Sequence, residues 1–158
     1  MVVPPAPTLG PQPVPAVAPV APPAFGGLAS APGFAWPRNR LVSSDGTLDV
    51  SVGVYADCSG NSPIDSDRAD LDPCFYGRSY FVGHSPGVFA PLLAMRPGAL
   101  ITWYDGAGTP QRLRVVAVRD FIRNSAPLSL AQPDVVAQFQ TCLTADGTHD
   151  RILDAVRA

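Results

Sequence analysis

Proline sets the first constraint on this chain. From Val2 to about Pro37 it recurs as Pro4, Pro5, Pro7, Pro11, Pro13, Pro15, Pro19, Pro22 and Pro23, interleaved with Ala and Val. Each proline fixes φ and removes a backbone donor, so neither a helix nor a central strand forms there. The segment is expected to be extended polyproline II and to act as a semi-rigid linker or stalk over residues 1–37. A ligand for a proline-recognising module is the weaker reading, because no Arg or Lys flanks the early prolines to orient such binding. One folded domain is expected over residues 38–158.

Composition decides what that domain can be. Apolar residues make up 46% of the chain and charged residues 15%, enough to bury an ordinary core without metals or many disulfides. All positive charge is Arg and all negative charge is Asp, with a net charge of −2. The eleven arginines are scattered rather than clustered, which leaves no phosphate-binding patch and argues against nucleic acid as a partner. No run reaches the roughly 18 apolar residues of a membrane-spanning helix, and no charged start followed by an apolar stretch marks a signal peptide. Because the chain opens with Met1 and then prolines, a native leader or anchor is expected to have been trimmed from it, and localisation has to be inferred indirectly.

The domain reads as β structure. Leu48, Val50, Val52 and Val54 alternate after the turn at Asp45 and Gly46. The stretch from Asp57 to Gly77 is rich in Asp, Ser, Pro and Gly and lacks apolar periodicity, so a long surface loop is expected. Ser79 to His84 reads as a strand that Ser85 and Pro86 terminate. Phe89, Leu92 and Leu93 stand at helical spacing before Pro97 and Gly98, predicting one short helix. Ala99 to Tyr104 and Gln111 to Ile122 form a hairpin around Asp105, Gly106, Ala107 and Gly108. A loop from Asn124 to about Asp134 follows, then strands over Val135 to Cys142 and Arg151 to Val156. The fold class is mainly β, a closed or nearly closed barrel with one or two short helices.

Three cysteines divide unevenly. Cys58 and Cys74 bracket the polar loop, while Cys142 stands apart. Pairing of the first two is expected, which implies an oxidising compartment; three reduced thiols are the alternative. Cys142 lies at a strand-to-loop junction, followed by Leu143, Thr144, Ala145, Asp146 and Gly147, where a side chain reaches solvent. Nucleophilic catalysis by cysteine needs a thiolate, a group that handles protons and a donor for the oxyanion. Cys142, His84 and Arg151 can fill those roles. The bland readings are a small buried hydrophobe for Cys142, a histidine hydrogen-bonded in a turn for His84 and a solvated charge for Arg151. A zinc site from His84, His149 and Cys142 lacks the short paired spacing of a metal motif, so neither metal nor cofactor is expected.

The segment from Tyr80 to Arg151 resembles the sortase family, which attaches surface proteins to bacterial cell walls. Gly83-His84 at a strand end resembles the family's histidine motif, Thr141-Cys142 its Thr-Cys motif, and Arg151 follows the cysteine by nine positions in the next strand. Pro97-Gly98, the hairpin and the strand from Arg112 to Arg119 sit where the family, in its actinobacterial type, places its central strands. The likeness covers roughly residues 40 to 158. It departs from the family at Tyr80, where Thr is usual, and at Phe139, where an aliphatic residue is usual. The loop between Ile122 and Val135 is short for the family's recognition loop, and no family calcium site maps onto the chain.

The resemblance implies a transpeptidase. Cys142 attacks a carbonyl of a C-terminal sorting signal, His84 protonates the leaving amine, and Arg151 with backbone groups at Thr141 and Leu143 steadies the oxyanion. An LPXTG-like peptide would be the acyl donor, and an amine of peptidoglycan or pilin the acceptor. The enzyme would be a monomer, extracellular or at the cell surface. Two rivals stand beside it. An L,D-transpeptidase-like peptidoglycan enzyme also uses His, Cys and Arg, but surrounds its nucleophile with Ser-His-Gly-Cys where this chain has Phe139, Gln140 and Thr141. A non-catalytic secreted β-domain would keep the fold with the trio idle.

Overall fold

A computed structural model describes residues 37–55, 57–58, 62–75, 77–123 and 133–158. The expected polyproline segment, and most of the expected loop from Asn124 to Asp134, lie outside the described residues.

Eight strands close into a barrel. They are β1 (Arg40–Ser43), β2 (Asp49–Val54), β3 (Ala69–Asp72), β4 (Ser79–Gly83), β5 (Leu100–Tyr104), β6 (Pro110–Ile122), β7 (Ala137–Cys142) and β8 (His149–Arg157). The order around the barrel is β1-β2-β3-β4-β7-β8-β6-β5. Most joints are antiparallel, but β2 with β3 and β4 with β7 are parallel. The predicted short helix is a single 3-10 turn, Ala90–Leu93, with Pro91 in its first turn and Leu92 buried.

Asp-Gly turns shape two of the tight connections for a common reason. Between β1 and β2 the Asp45 carboxylate accepts from the Ser43 hydroxyl, the Thr47 amide and the Thr47 hydroxyl. Between β7 and β8 Asp146 repeats this with Thr144 and Thr148. Glycines 46 and 147 follow these acids at φ of 74° and 66°, a region that favours glycine.

The interior is built by alternate residues. Leu41, Val50, Val52, Phe81, Ile101, Trp103, Leu113, Phe139, Leu153 and Ala155 are buried together. Phe81 and Phe139 face each other across the β4–β7 joint and stack at 5.2 Å between centroids, while Trp103 meets Phe81 edge-on at 5.1 Å.

One strand departs from expectation. β3 lies inside the stretch that reads as a surface loop, because its sequence, Ala-Asp-Leu-Asp, buries both acids and leaves Leu71 only half-covered. The carboxylates are satisfied locally: Asp70 accepts from Arg68 Nε at 3.1 Å and Asp72 from the Cys74 amide at 2.8 Å. Buried polar groups with partners produce no apolar alternation to read.

Candidate active site

The site grows from the end of the β4–β7 joint. Register pairs Gly83 with Thr141, and the buried Thr141 hydroxyl donates to the Gly83 carbonyl at 2.9 Å. Parallel neighbours run side by side about 4.8 Å apart. His84, the residue after β4, and Cys142, the last residue of β7, therefore leave the barrel from the same end of adjacent strands. Gly83 is required there: a Cβ would come within 2.7 Å of the Phe89 ring, which packs against this end of β4.

His84 is half-buried and its Nε2 lies 2.9 Å from the carbonyl of Ile64. A carbonyl only accepts, so Nε2 carries the proton in this arrangement. Ile64 belongs to the loop between β2 and β3, where the Tyr55 hydroxyl also donates to the Ser62 carbonyl at 2.7 Å. The Cys58–Cys74 disulfide ties that loop to the segment just after β3, with 5.6 Å between Cα atoms. The predicted pairing is present, and it holds the backbone that positions the histidine.

Cys142 is a free thiol of intermediate exposure. Its sulfur lies 3.5 Å from Nη2 of Arg123, the residue just after β6. Arg123 in turn grips the buried Asp150 with Nε and Nη2, both at 3.0 Å. Asp150 stands directly opposite Cys142 in the β7–β8 ladder, so the two share one face. Hydrogen bonding to Asp150 raises the Arg123 pKa; burial opposes this, and the charges of Asp150 and then Cys142 add to it.

This face carries a continuous polar ladder. The buried Tyr80 hydroxyl donates to Gln140, whose Nε2 donates to Asp150 at 3.0 Å. Below it, Gln138 Nε2 donates to Asp154 at 2.7 Å, Arg119 clasps Asp154 at 2.7 and 2.9 Å, and Arg78 donates to Gln138. Phe75, next to the disulfide, stacks on Tyr80 at 3.9 Å. Burial pushes the Tyr80 phenol up.

Arg151 takes the opposite face of β8, paired with Thr141. Its Nε and Nη2 donate to Asp120 at 2.7 and 2.8 Å, and its Nη1 donates to the Leu93 carbonyl at 2.7 Å. The hydrogen bond from Arg151 lowers the Asp120 pKa. The Leu143 amide donates to the His149 carbonyl at 2.7 Å and so closes the β7–β8 turn. Among the described residues no group of three or more His, Cys, Asp or Glu is placed to hold a metal ion.

Sequence reasoning missed Arg123 and Asp150. The one signal available was Asp150 itself, an acid at the start of a strand that continues through Ile152 and Leu153. An acid buried there demands a cationic partner, and the loop-adjacent Arg123 is the one that arrives.

A closed eight-stranded barrel of this order, with a histidine and a cysteine leaving one end of its parallel β4–β7 joint, is a sortase-like fold. Sortase A from Corynebacterium diphtheriae, as a lid mutant, superposes with a TM-score of 0.61 at 14% identity, covering 75% of this chain and 68% of that one. Sortase C1 from Streptococcus suis gives 0.59 at 14% identity over 76% and 72%. Streptococcus pneumoniae sortase C, described for its catalysis and pilin substrate specificity, gives 0.59 at 14% over 75% and 65%. No protein-family model matches the chain, and no curated protein matches its sequence.

Proposed function

We propose that the chain is a sortase-like cysteine transpeptidase. The observation that carries this is the β4–β7 register, which sets Gly83 beside Thr141 and so brings His84 and Cys142 to one edge. In the proposed reaction the Cys142 thiolate attacks the carbonyl carbon of a C-terminal sorting signal. A C–S bond forms and the carbonyl electron pair moves to oxygen. Collapse restores the carbonyl, breaks the C–N bond, and releases the C-terminal fragment as an amine that takes its proton from His84. An amine acceptor then attacks the thioacyl carbon: the new C–N bond forms, His84 receives the amine's proton, and the C–S bond breaks to return the Cys142 thiolate. Water replaces the amine when none arrives.

The donor class proposed is an LPXTG-like peptide, and the acceptor class an amine of peptidoglycan or pilin. A disulfide beside the histidine loop supports an extracellular or cell-surface setting, where such bonds persist. Roles for Arg151, Thr141 and Leu143 at the oxyanion remain part of the proposal.

Mass spectrometry of the protein after incubation with a pool of LPXTG-like peptides tests the reading. The expected result is a thioacyl adduct on Cys142, lost in Cys142→Ala. An intact, alkylatable thiol that takes up no acyl group would instead favour a non-catalytic β-domain.

A further inference from the structure

His84 has two ring nitrogens, and the fold commits one of them. Nε2 lies 2.9 Å from the Ile64 carbonyl, which offers no proton, so Nε2 donates and its one in-plane position is filled. Both partners are held in place. On the histidine side the Phe89 amide donates to the His84 carbonyl at 3.0 Å, and Gly87 packs so closely that a Cβ there would stand 3.0 Å from the His84 Cβ. On the loop side the Tyr55 hydroxyl donates to the Ser62 carbonyl at 2.7 Å, the Ser62 hydroxyl donates to Asp57 at 2.5 Å, and Arg68 pairs with Asp65 at 2.8 Å. Strand order separates the two neighbours of the ring. β3 and β7 flank β4, and Asp70 stands opposite Val82, so the Ile64 loop enters β3 level with His84 on one side while Cys142 ends β7 on the other.

We infer that Nδ1 is the nitrogen of His84 that exchanges protons with the substrate, and that Ile64 is its positioning residue, acting through the main-chain carbonyl. The inference rests on the transpeptidase reading. The imidazole so held and the imidazolium both carry Nε2–H, so the bond to Ile64 survives either state and the ring need not turn between steps. In the imidazolium the second N–H is on Nδ1. That proton passes to the leaving nitrogen as its C–N bond breaks, which leaves a lone pair on Nδ1. The same lone pair takes a proton from the attacking amine as the new C–N bond forms and the Cys142 thiolate departs, so His84 ends the cycle as it began. A ring flipped about Cβ–Cγ would forfeit the Ile64 bond and put carbon where Nδ1 stands. The carbonyl thus fixes tautomer and orientation as the carboxylate of a Ser-His-Asp site does, without adding a charge.

Three measurements test this. The first needs no substrate: NMR of the imidazole nitrogens in isotope-labelled protein, with His149→Gln to tell the two histidines apart. The neutral His84 ring is expected to carry its proton on Nε2, in slow exchange with water. A proton on Nδ1, or an Nε2–H that exchanges as fast as in free imidazole, overturns the Ile64 contact. The second is acyl transfer from an LPXTG-like peptide by a protein carrying Nδ1-methylhistidine at position 84. Its kcat is expected to fall about 100-fold, the usual scale of general acid–base catalysis. Retained transfer in that protein sends the proton through Nε2, which overturns the inference and leaves the transpeptidase reading standing. The third replaces Asp65 by its α-hydroxy acid, turning the Ile64–Asp65 amide into an ester, a weaker acceptor, with no side chain changed. Faster Nε2–H exchange and a kcat about tenfold lower are expected; an unchanged kcat overturns the part given to Ile64. A wild type that forms no thioacyl adduct sinks the transpeptidase reading and the role of Nδ1 with it, whereas the Nε2–H signal alone decides the contact.

Discussion

The Thr141 hydroxyl donates to the carbonyl of Gly83 at 2.9 Å, across the parallel joint whose next residues on either side are His84 and Cys142. This side-chain bond continues the ladder where the strands end, next to His84 and Cys142. Thr141→Val keeps the shape and removes the donor. It is expected to lower stability by about 1 kcal/mol, read from urea denaturation. Thioacyl formation should fall by more than the stability change explains. Equal adduct rates in the two proteins would show that the strand ends hold their spacing without this bond.

The disulfide is expected to matter twice. The Cys58→Ser/Cys74→Ser protein should lose about 3 kcal/mol, the chain-entropy value for a loop of this length. It should also acylate more slowly, since the Ile64 carbonyl that holds His84 sits in the released loop. Urea midpoints and adduct rates, measured with and without reductant, check both effects. Reductant should slow the wild type and leave the double variant unchanged.

Asp154 is buried under two partners, Arg119 and Gln138. Asp154→Ala strands both, so a loss of about 2 kcal/mol is expected. Replacing Arg119 and Asp154 together by apolar residues of similar size should cost less than Asp154→Ala alone, because no orphaned charge remains. A double variant as unstable as the single one would mean that the ladder is held by shape rather than by charge.

Acid should weaken the turns in a defined window. Asp45 is held down to about 2 by the Ser43 hydroxyl and then by Thr47, and Asp146 to about 2 by Thr144 and then Thr148. A carboxyl whose folded value is depressed contributes stability that is fully present above its unfolded value, about 3.9, and is lost as pH falls through the folded one. The urea midpoint should therefore drop between about pH 4 and pH 2. The Asp45→Asn/Asp146→Asn protein should start lower and show a shallower drop over that interval. Parallel curves for the two proteins would assign the acid sensitivity to other carboxylates.

The legible part of the fold was the part with a period. The β1–β2 and β5–β6 hairpins, β4 and β7 all carry apolar alternation or a turn with a known geometry, and they stand within a few residues of expectation. β8 begins two residues earlier than its expected start at Arg151, because His149 and Asp150 are polar yet paired in the ladder. β3 was hidden for the same reason, its buried acids reading as loop. The histidine and cysteine were legible as residue types at strand ends. Arg123 was not, since its place beside the thiol comes from a buried carboxylate that only register sets opposite Cys142.

The parallel joint also has a kinetic meaning. His84 and Cys142 are adjacent only because β4 pairs with a strand far along the chain, and β7 is braced on its other side by β8. Contacts of such sequence separation form late, after loop-closure entropy has been overcome. Local hairpins can assemble without bringing His84 and Cys142 together. A molecule that has not finished folding thus holds a solitary thiol and a distant imidazole, and the two become neighbours only at barrel closure.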